Sequence, residues 1–130
     1  MKTFKGSGVA LVTPFLQDGS IDYTALKALV ALQIAGGTDF LVVQGTTGES
    51  PTLSQDEKRR VLDTVLEENN GKLPVVYGIG GNNTHGLEAL FSNLPSGVDG
   101  ILSVSPSYNK PIQKGIVAHF KMVASYTELP

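Results

Sequence analysis

The stretch Phe40-Leu41-Val42-Val43-Gln44-Gly45-Thr46-Thr47-Gly48-Glu49-Ser50 decides the fold. Its first four residues are apolar without a break. A strand with one wet face alternates apolar and polar residues, whereas an unbroken run is expected of a strand covered on both faces, as in a parallel sheet. The run passes directly into a loop rich in glycine and hydroxyl groups, the usual site of function in such sheets. Three further runs repeat the pattern on either side: Gly8-Val9-Ala10-Leu11-Val12, Leu73-Pro74-Val75-Val76-Tyr77 and Gly100-Ile101-Leu102-Ser103-Val104. The last is weaker, because Ser103 interrupts it. Strands are expected at 8–12, 40–43, 74–78 and 100–104.

Helical periodicity fills the intervals. Asp22 is a good N-cap for a helix carrying Leu26, Leu29, Val30 and Ile34, which Gly36-Gly37 ends. Ser54-Gln55-Asp56-Glu57 reads as a capping box, in which the serine takes an orphan N–H and Glu57 reaches back. The helix after it sets Val61, Leu62, Val65 and Leu66 on one face and stops near Asn69-Asn70-Gly71. A shorter helix is expected from Thr84 to about Ser92. A fourth follows Pro111, with Ile116, Phe120 and Val123. The order is (βα)4, and crossover helices force the strands to be parallel. Thr127-Glu128-Leu129-Pro130 has the character of a lead-in to another strand. Four parallel strands fit either a small open sheet or half of an eight-stranded barrel. In a half-barrel both sheet edges are open, and the concave face is expected to present Val9, Leu11, Leu41 or Val75.

Composition removes several classes of function. At 130 residues the chain makes one ordinary domain, and 41% hydrophobic with 17% charged residues marks it as globular. A net charge of -2 with no arginine-rich run leaves no footprint for nucleic acid. Cysteine is absent, so there is neither a disulfide framework nor a thiolate metal site. No signal-peptide pattern follows Met1, and no apolar run approaches the ~20 residues of a membrane span. A cytoplasmic location is the expectation, without membrane or nucleic-acid partners.

Chemistry in parallel sheets gathers beyond the carboxyl ends of the strands. Gly45 and Gly48 flank Thr46 and Thr47, a loop able to turn sharply and offer N–H groups and two hydroxyls to a small anion, or simply to form a tight turn. Gly78-Ile79-Gly80-Gly81-Asn82-Asn83 lacks the dinucleotide spacing, so no cofactor is expected, and no metal. Tyr108, between Pro106 and Pro111, either relays a proton over the strand ends or only packs. Glu49 is a candidate base or a loop brace. Lys110 reads as solvated, and His85 and His119 as surface or helix-face residues.

These blocks together, Gly45-Thr46-Thr47-Gly48-Glu49-Ser50, Gly80-Gly81-Asn82 and Pro106-Ser107-Tyr108-Asn109-Lys110-Pro111, resemble the dihydrodipicolinate synthase and N-acetylneuraminate lyase superfamily over the whole chain. The resemblance implies that residues 1–130 are the N-terminal half of one TIM-barrel catalytic domain. It implies a lyase or synthase that joins pyruvate, held as a lysine Schiff base, to aspartate semialdehyde in lysine and diaminopimelate biosynthesis. The paired threonines are compatible with a 2-keto-3-deoxy sugar-acid aldolase as well. It also implies a homotetramer built as a dimer of dimers. Carried over by position, Thr46 is the relay hydroxyl, and Thr47 and Gly48 bind the pyruvate carboxylate. Tyr108 is the relay tyrosine that reaches into a neighbouring site. The Schiff-base lysine of the family lies on its sixth strand, and this chain has no counterpart, so alone it is expected to be inactive. A non-catalytic half-barrel, or one that binds phosphate at its glycine loops, is the other reading. In members that respond to lysine, the acidic residue that pairs with the ligand's ammonium and the tyrosine that closes the site fall on Gly86 and Ser107, while Ser50 and Asn82 agree with the pattern, so weak or absent inhibition by lysine is expected.

Overall fold

The computed structural model describes residues 4–130. Its elements run β1 (Gly8–Ala10), α1 (Tyr23–Ala35), β2 (Phe40–Val43), α2 (Gln55–Asn69), β3 (Val75–Gly78), α3 (Glu88–Ser92), β4 (Gly100–Leu102) and α4 (Gln113–Ala124). The sheet has the order β1-β2-β3-β4, and every pairing is parallel. Register runs Val9 to Leu41, Leu41 to Val75, and Val76 to Gly100. This is the expected (βα)4 order, with strands one or two residues shorter than expected at three ends. Pro74 has no N–H and stays outside β3, yet its carbonyl accepts from Leu41 N at 3.0 Å. The β3–β4 ladder closes on Ile79 N–H to Leu102 O at 2.9 Å, so Ser103 and Val104 lie past the last rung.

Capping follows the sequence. The Asp22 carboxylate accepts from Ala25 N at 2.9 Å, and both arms of the Ser54–Glu57 capping box are present. Those Ser54 bonds hold the Glu57 carboxyl below its ordinary pKa. Gly36 ends α1, and Asn70, in the left-handed region, ends α2. The segment expected as one helix from Thr84 divides into a 3-10 turn at His85–Leu87 and the short α3. Thr84 does not cap it, because its hydroxyl is committed to His119 at 2.8 Å.

The main core lies between the sheet and its helices. Leu41, Val43 and Val75 of the strands, with Leu11, pack against Leu26, Val30, Val61, Leu62 and Val65. Each fully buried side chain of this kind contributes on the order of 1.5–3 kcal/mol. The expectation for the concave face is corrected here. Leu11, Leu41 and Val75 are at most 3% exposed and face the helices, and the partly buried Val9 packs against the same core. Val12, Leu102 and Val104 are instead 43–53% exposed on the opposite face. Parity decides this, because successive side chains alternate across a sheet and a continuous apolar run carries no mark of which set points where. An edge-to-face pair, Phe4 and Phe40 with centroids 5.5 Å apart, fills the floor of that face. A Cβ at Gly8 would overlap the Phe40 ring, and one at Gly100 would stand 2.7 Å from Phe4.

Pro130 O accepts from Ile101 N at 2.8 Å, and Leu129 packs on the core. Leu129-Pro130 therefore lies along β4 as Leu73-Pro74 lies along β2. Among the described residues no helix is long and apolar enough to cross a membrane.

Candidate functional site

Beyond the strand ends the chain folds over the concave face. Gln44 takes φ 60 and turns the backbone inward, so that its carbonyl occupies the space a Cβ would need at Gly78. Gly45 then lies over the face, where a Cβ would stand 3.7 Å from Leu102 and 3.8 Å from Val42. Two 3-10 turns follow, Thr46–Gly48 and Ser50–Thr52, joined at Glu49 in the left-handed region. In such a first turn the leading N–H groups have no intrahelical acceptor.

A cavity of about 130 Å³ opens at this point. Thr46 and Ser50 line its polar side, and Gly78, Gly80, Leu102 and Val104 its floor and far wall. Thr46 and Thr47 are both exposed, and of the two Thr46 lines the cavity. Gly48 is buried, and its carbonyl accepts from the Thr13 hydroxyl at 2.7 Å. Thr13, 5% exposed, thereby fastens the loop after β1 to the loop after β2, a role its sequence position did not signal. Glu49 is exposed and does not line the cavity; its backbone carbonyl accepts from Thr52 N and from Thr52 Oγ1, both at 2.9 Å.

Tyr108 stands apart from this cavity. It is 95% exposed with φ 67, and Lys110 beside it is exposed with φ 46. Asn82 anchors their loop, donating to Ser107 O at 3.0 Å and accepting from Ser107 N at 2.9 Å. The structure thus brings Thr46, Thr47 and Gly48 into one turn and holds Tyr108 outward in a loop of its own. His85 is exposed as expected. His119 is not a surface residue: it is 4% exposed, and its ring lies 2.8 Å from Thr84 Oγ1 and 3.3 Å from Val104 O. No feature of its neighbours in sequence marks it. Only the fold brings its helix under the end of β4. Burial also raises the Tyr77 phenol above its ordinary pKa, but that ring packs on the core, away from the loops.

Gln44 is the anomaly of the site. It is 4% exposed, and among the described residues neither atom of its amide has a partner. A buried amide left unpaired costs about 1–3 kcal/mol, so Gln44→Met, of similar length and without those groups, should stabilise the chain by about that amount. The midpoint of urea unfolding measures it, and an unchanged or lower midpoint would show that the amide is satisfied in solution.

Comparison with known proteins places this arrangement. Residues 3–130 match the Dihydrodipicolinate synthetase family. A 4-hydroxy-tetrahydrodipicolinate synthase of Flavobacterium psychrophilum is 56% identical over 131 aligned residues, covering 100% of this chain and 45% of that protein. The solved dihydrodipicolinate synthase DapA-2 of Bacillus anthracis superposes with a TM-score of 0.93 at 43% identity, over 100% of this chain and 45% of the other. The chloride-inhibited enzyme of Acinetobacter baumannii, solved with pyruvate, gives 0.93 at 41% identity, over 98% and 44%. The chain thus spans a little under half the length of the relatives it matches. Parallel (βα)4 order, the concave face and the threonine turn beyond β2 all agree with that match: the chain is part of a TIM barrel and belongs to the dihydrodipicolinate synthetase family.

Proposed function

We propose that the chain supplies the first four βα units of a cytoplasmic TIM-barrel 4-hydroxy-tetrahydrodipicolinate synthase, which condenses pyruvate with aspartate semialdehyde. The observation that carries this reading is the Gly45–Ser50 turn, which sets an exposed Thr46 on a cavity at the strand ends with Thr47 and Gly48 directly behind it. Thr47 and the turn's N–H groups would take the pyruvate carboxylate. A lysine from the second half of the barrel would add to the keto carbon with loss of water. The iminium acts as an electron sink, so the methyl group gives up a proton to the relay. The resulting enamine attacks the aldehyde carbon, whose oxygen takes up a proton as the iminium re-forms. Thr46 would pass these protons, with Tyr108 as the next member of the relay. The outward setting of Tyr108 suits a hydroxyl delivered to a neighbouring subunit, in keeping with a dimer of dimers.

None of the described lysines is buried. Lys27 and Lys58 are half-buried and Lys5, Lys72, Lys110, Lys114 and Lys121 exposed, so none has the desolvated setting that activates an amine. The chain by itself is therefore proposed to be inactive. A 2-keto-3-deoxy sugar-acid aldolase would use the same pyruvate half-site, and the aldehyde separates the two. In a barrel completed with the second half of the Flavobacterium relative, aspartate semialdehyde should be consumed together with pyruvate. Cleavage of a keto-deoxy sugar acid, without reaction of aspartate semialdehyde, would reverse the assignment.

A further inference from the structure

We propose that His119 is a positioning residue for the reaction, acting through the loop that carries Tyr108. The proposal rests on the role assigned to Tyr108 above. His119 lies on α4, in the same βα unit as Val104, whereas Thr84 belongs to the preceding unit, between β3 and α3. Its ring touches two structures at once: Val104 O, directly past β4, at 3.3 Å, and Thr84 Oγ1, beyond the loop after β3, at 2.8 Å. A carbonyl oxygen can only accept, so Nε2 carries the hydrogen that bonds Val104. In the neutral ring Nδ1 then holds a lone pair, and the Thr84 hydroxyl donates to it. The geometry therefore fixes the tautomer. The Phe120 ring makes a T-shaped contact with it, 5.2 Å between centroids.

What this clamp holds is the root of the loop 105–111. That loop contains two non-glycine residues in the left-handed region, Tyr108 and Lys110. Such residues persist only where the surroundings over-determine them. Two attachments do so here. The Asn82 amide grips Ser107 just before Tyr108, and the His119 ring grips Val104 at the strand end. Both tie the loop to the segment after β3, so the phenol is placed relative to the third strand as well as the fourth. A histidine that merely fills space would need neither hydrogen bond. Leucine would fill most of that volume but leave the Val104 carbonyl unbonded. Glutamine can restore both contacts, since its Nε2 donates where the ring Nε2 does and its Oε1 accepts from Thr84.

Two measurements test the proposal. In the chain itself, ¹⁵N relaxation should show the amides of 105–110 losing order in His119→Leu, with α1 and α2 unchanged, and recovering in His119→Gln. Equal order in all three proteins would overturn the clamp. In the barrel completed with the Flavobacterium second half, His119→Leu should lower kcat roughly ten- to hundredfold, the size of effect that a misplaced catalytic group produces. The KM for pyruvate should change less than about twofold, since only transition-state contacts are lost. Added to Tyr108→Phe it should cost nothing further, because the two act as one unit. Additive losses would overturn the proposal, since His119 would then act by another route. Unchanged kcat in Tyr108→Phe would instead remove the role given to Tyr108, and the relaxation result would still decide whether the clamp exists.

Discussion

Thr46→Val in a completed barrel is expected to lower kcat by about a hundredfold or more, the usual contribution of a positioned proton-transfer group. Valine keeps the shape of threonine and removes only the hydroxyl, so the 3-10 turn at Thr46–Gly48 and the cavity beside it should persist. Thr47→Val tests the adjacent assignment. It should act mainly on the KM for pyruvate, because a contact to the carboxylate is made in ground state and transition state alike. Steady-state kinetics with pyruvate varied separates the two. Thr46→Val with unimpaired kcat would take the relay away from this turn.

The largest expected effect on folding belongs to Gly78→Ala. A Cβ there would overlap the Gln44 carbonyl oxygen and stand 2.6 Å from its carbon and 3.1 Å from Gly45 N. These are backbone atoms of the turn that carries Thr46, so no side chain can swing aside to relieve the contact. The β2–β3 pairing of Val43 with Tyr77 lies one residue away and fixes the spacing. Overpacking of this kind costs about 3 kcal/mol, and here the only relief is to displace the loop. The urea midpoint of Gly78→Ala should fall accordingly. A loss below about 0.5 kcal/mol, within the range of ordinary surface changes, would mean that the Gln44 turn is not held against β3.

The element order was legible because each signal was local. Unbroken apolar strands, the Asp22 cap and the Ser54–Glu57 box depend on neighbours in sequence, and each appears where those neighbours put it. The threonine turn was legible for the same reason. The inner face was not, because Leu41 and Val42 are equally apolar and only the pleat decides which meets the helices. Thr13, Gln44 and His119 were also beyond reach. Thr13 acts on Gly48 and His119 on Thr84, each 35 residues away, contacts that exist only once the sheet has formed. The split of the third helix has the same origin, since Thr84, a good cap by residue type, is taken by His119.

Borohydride trapping with pyruvate addresses the central claim most directly. The chain alone, reduced in the presence of pyruvate and digested for mass spectrometry, should carry no pyruvyl adduct on any lysine. Mixed or fused with the second half of the Flavobacterium relative, it should give one adduct, on a lysine of that second half, and Thr47→Val in this chain should lower its yield. A reduced pyruvyl adduct on Lys110, or on any other lysine of this chain alone, would contradict the account.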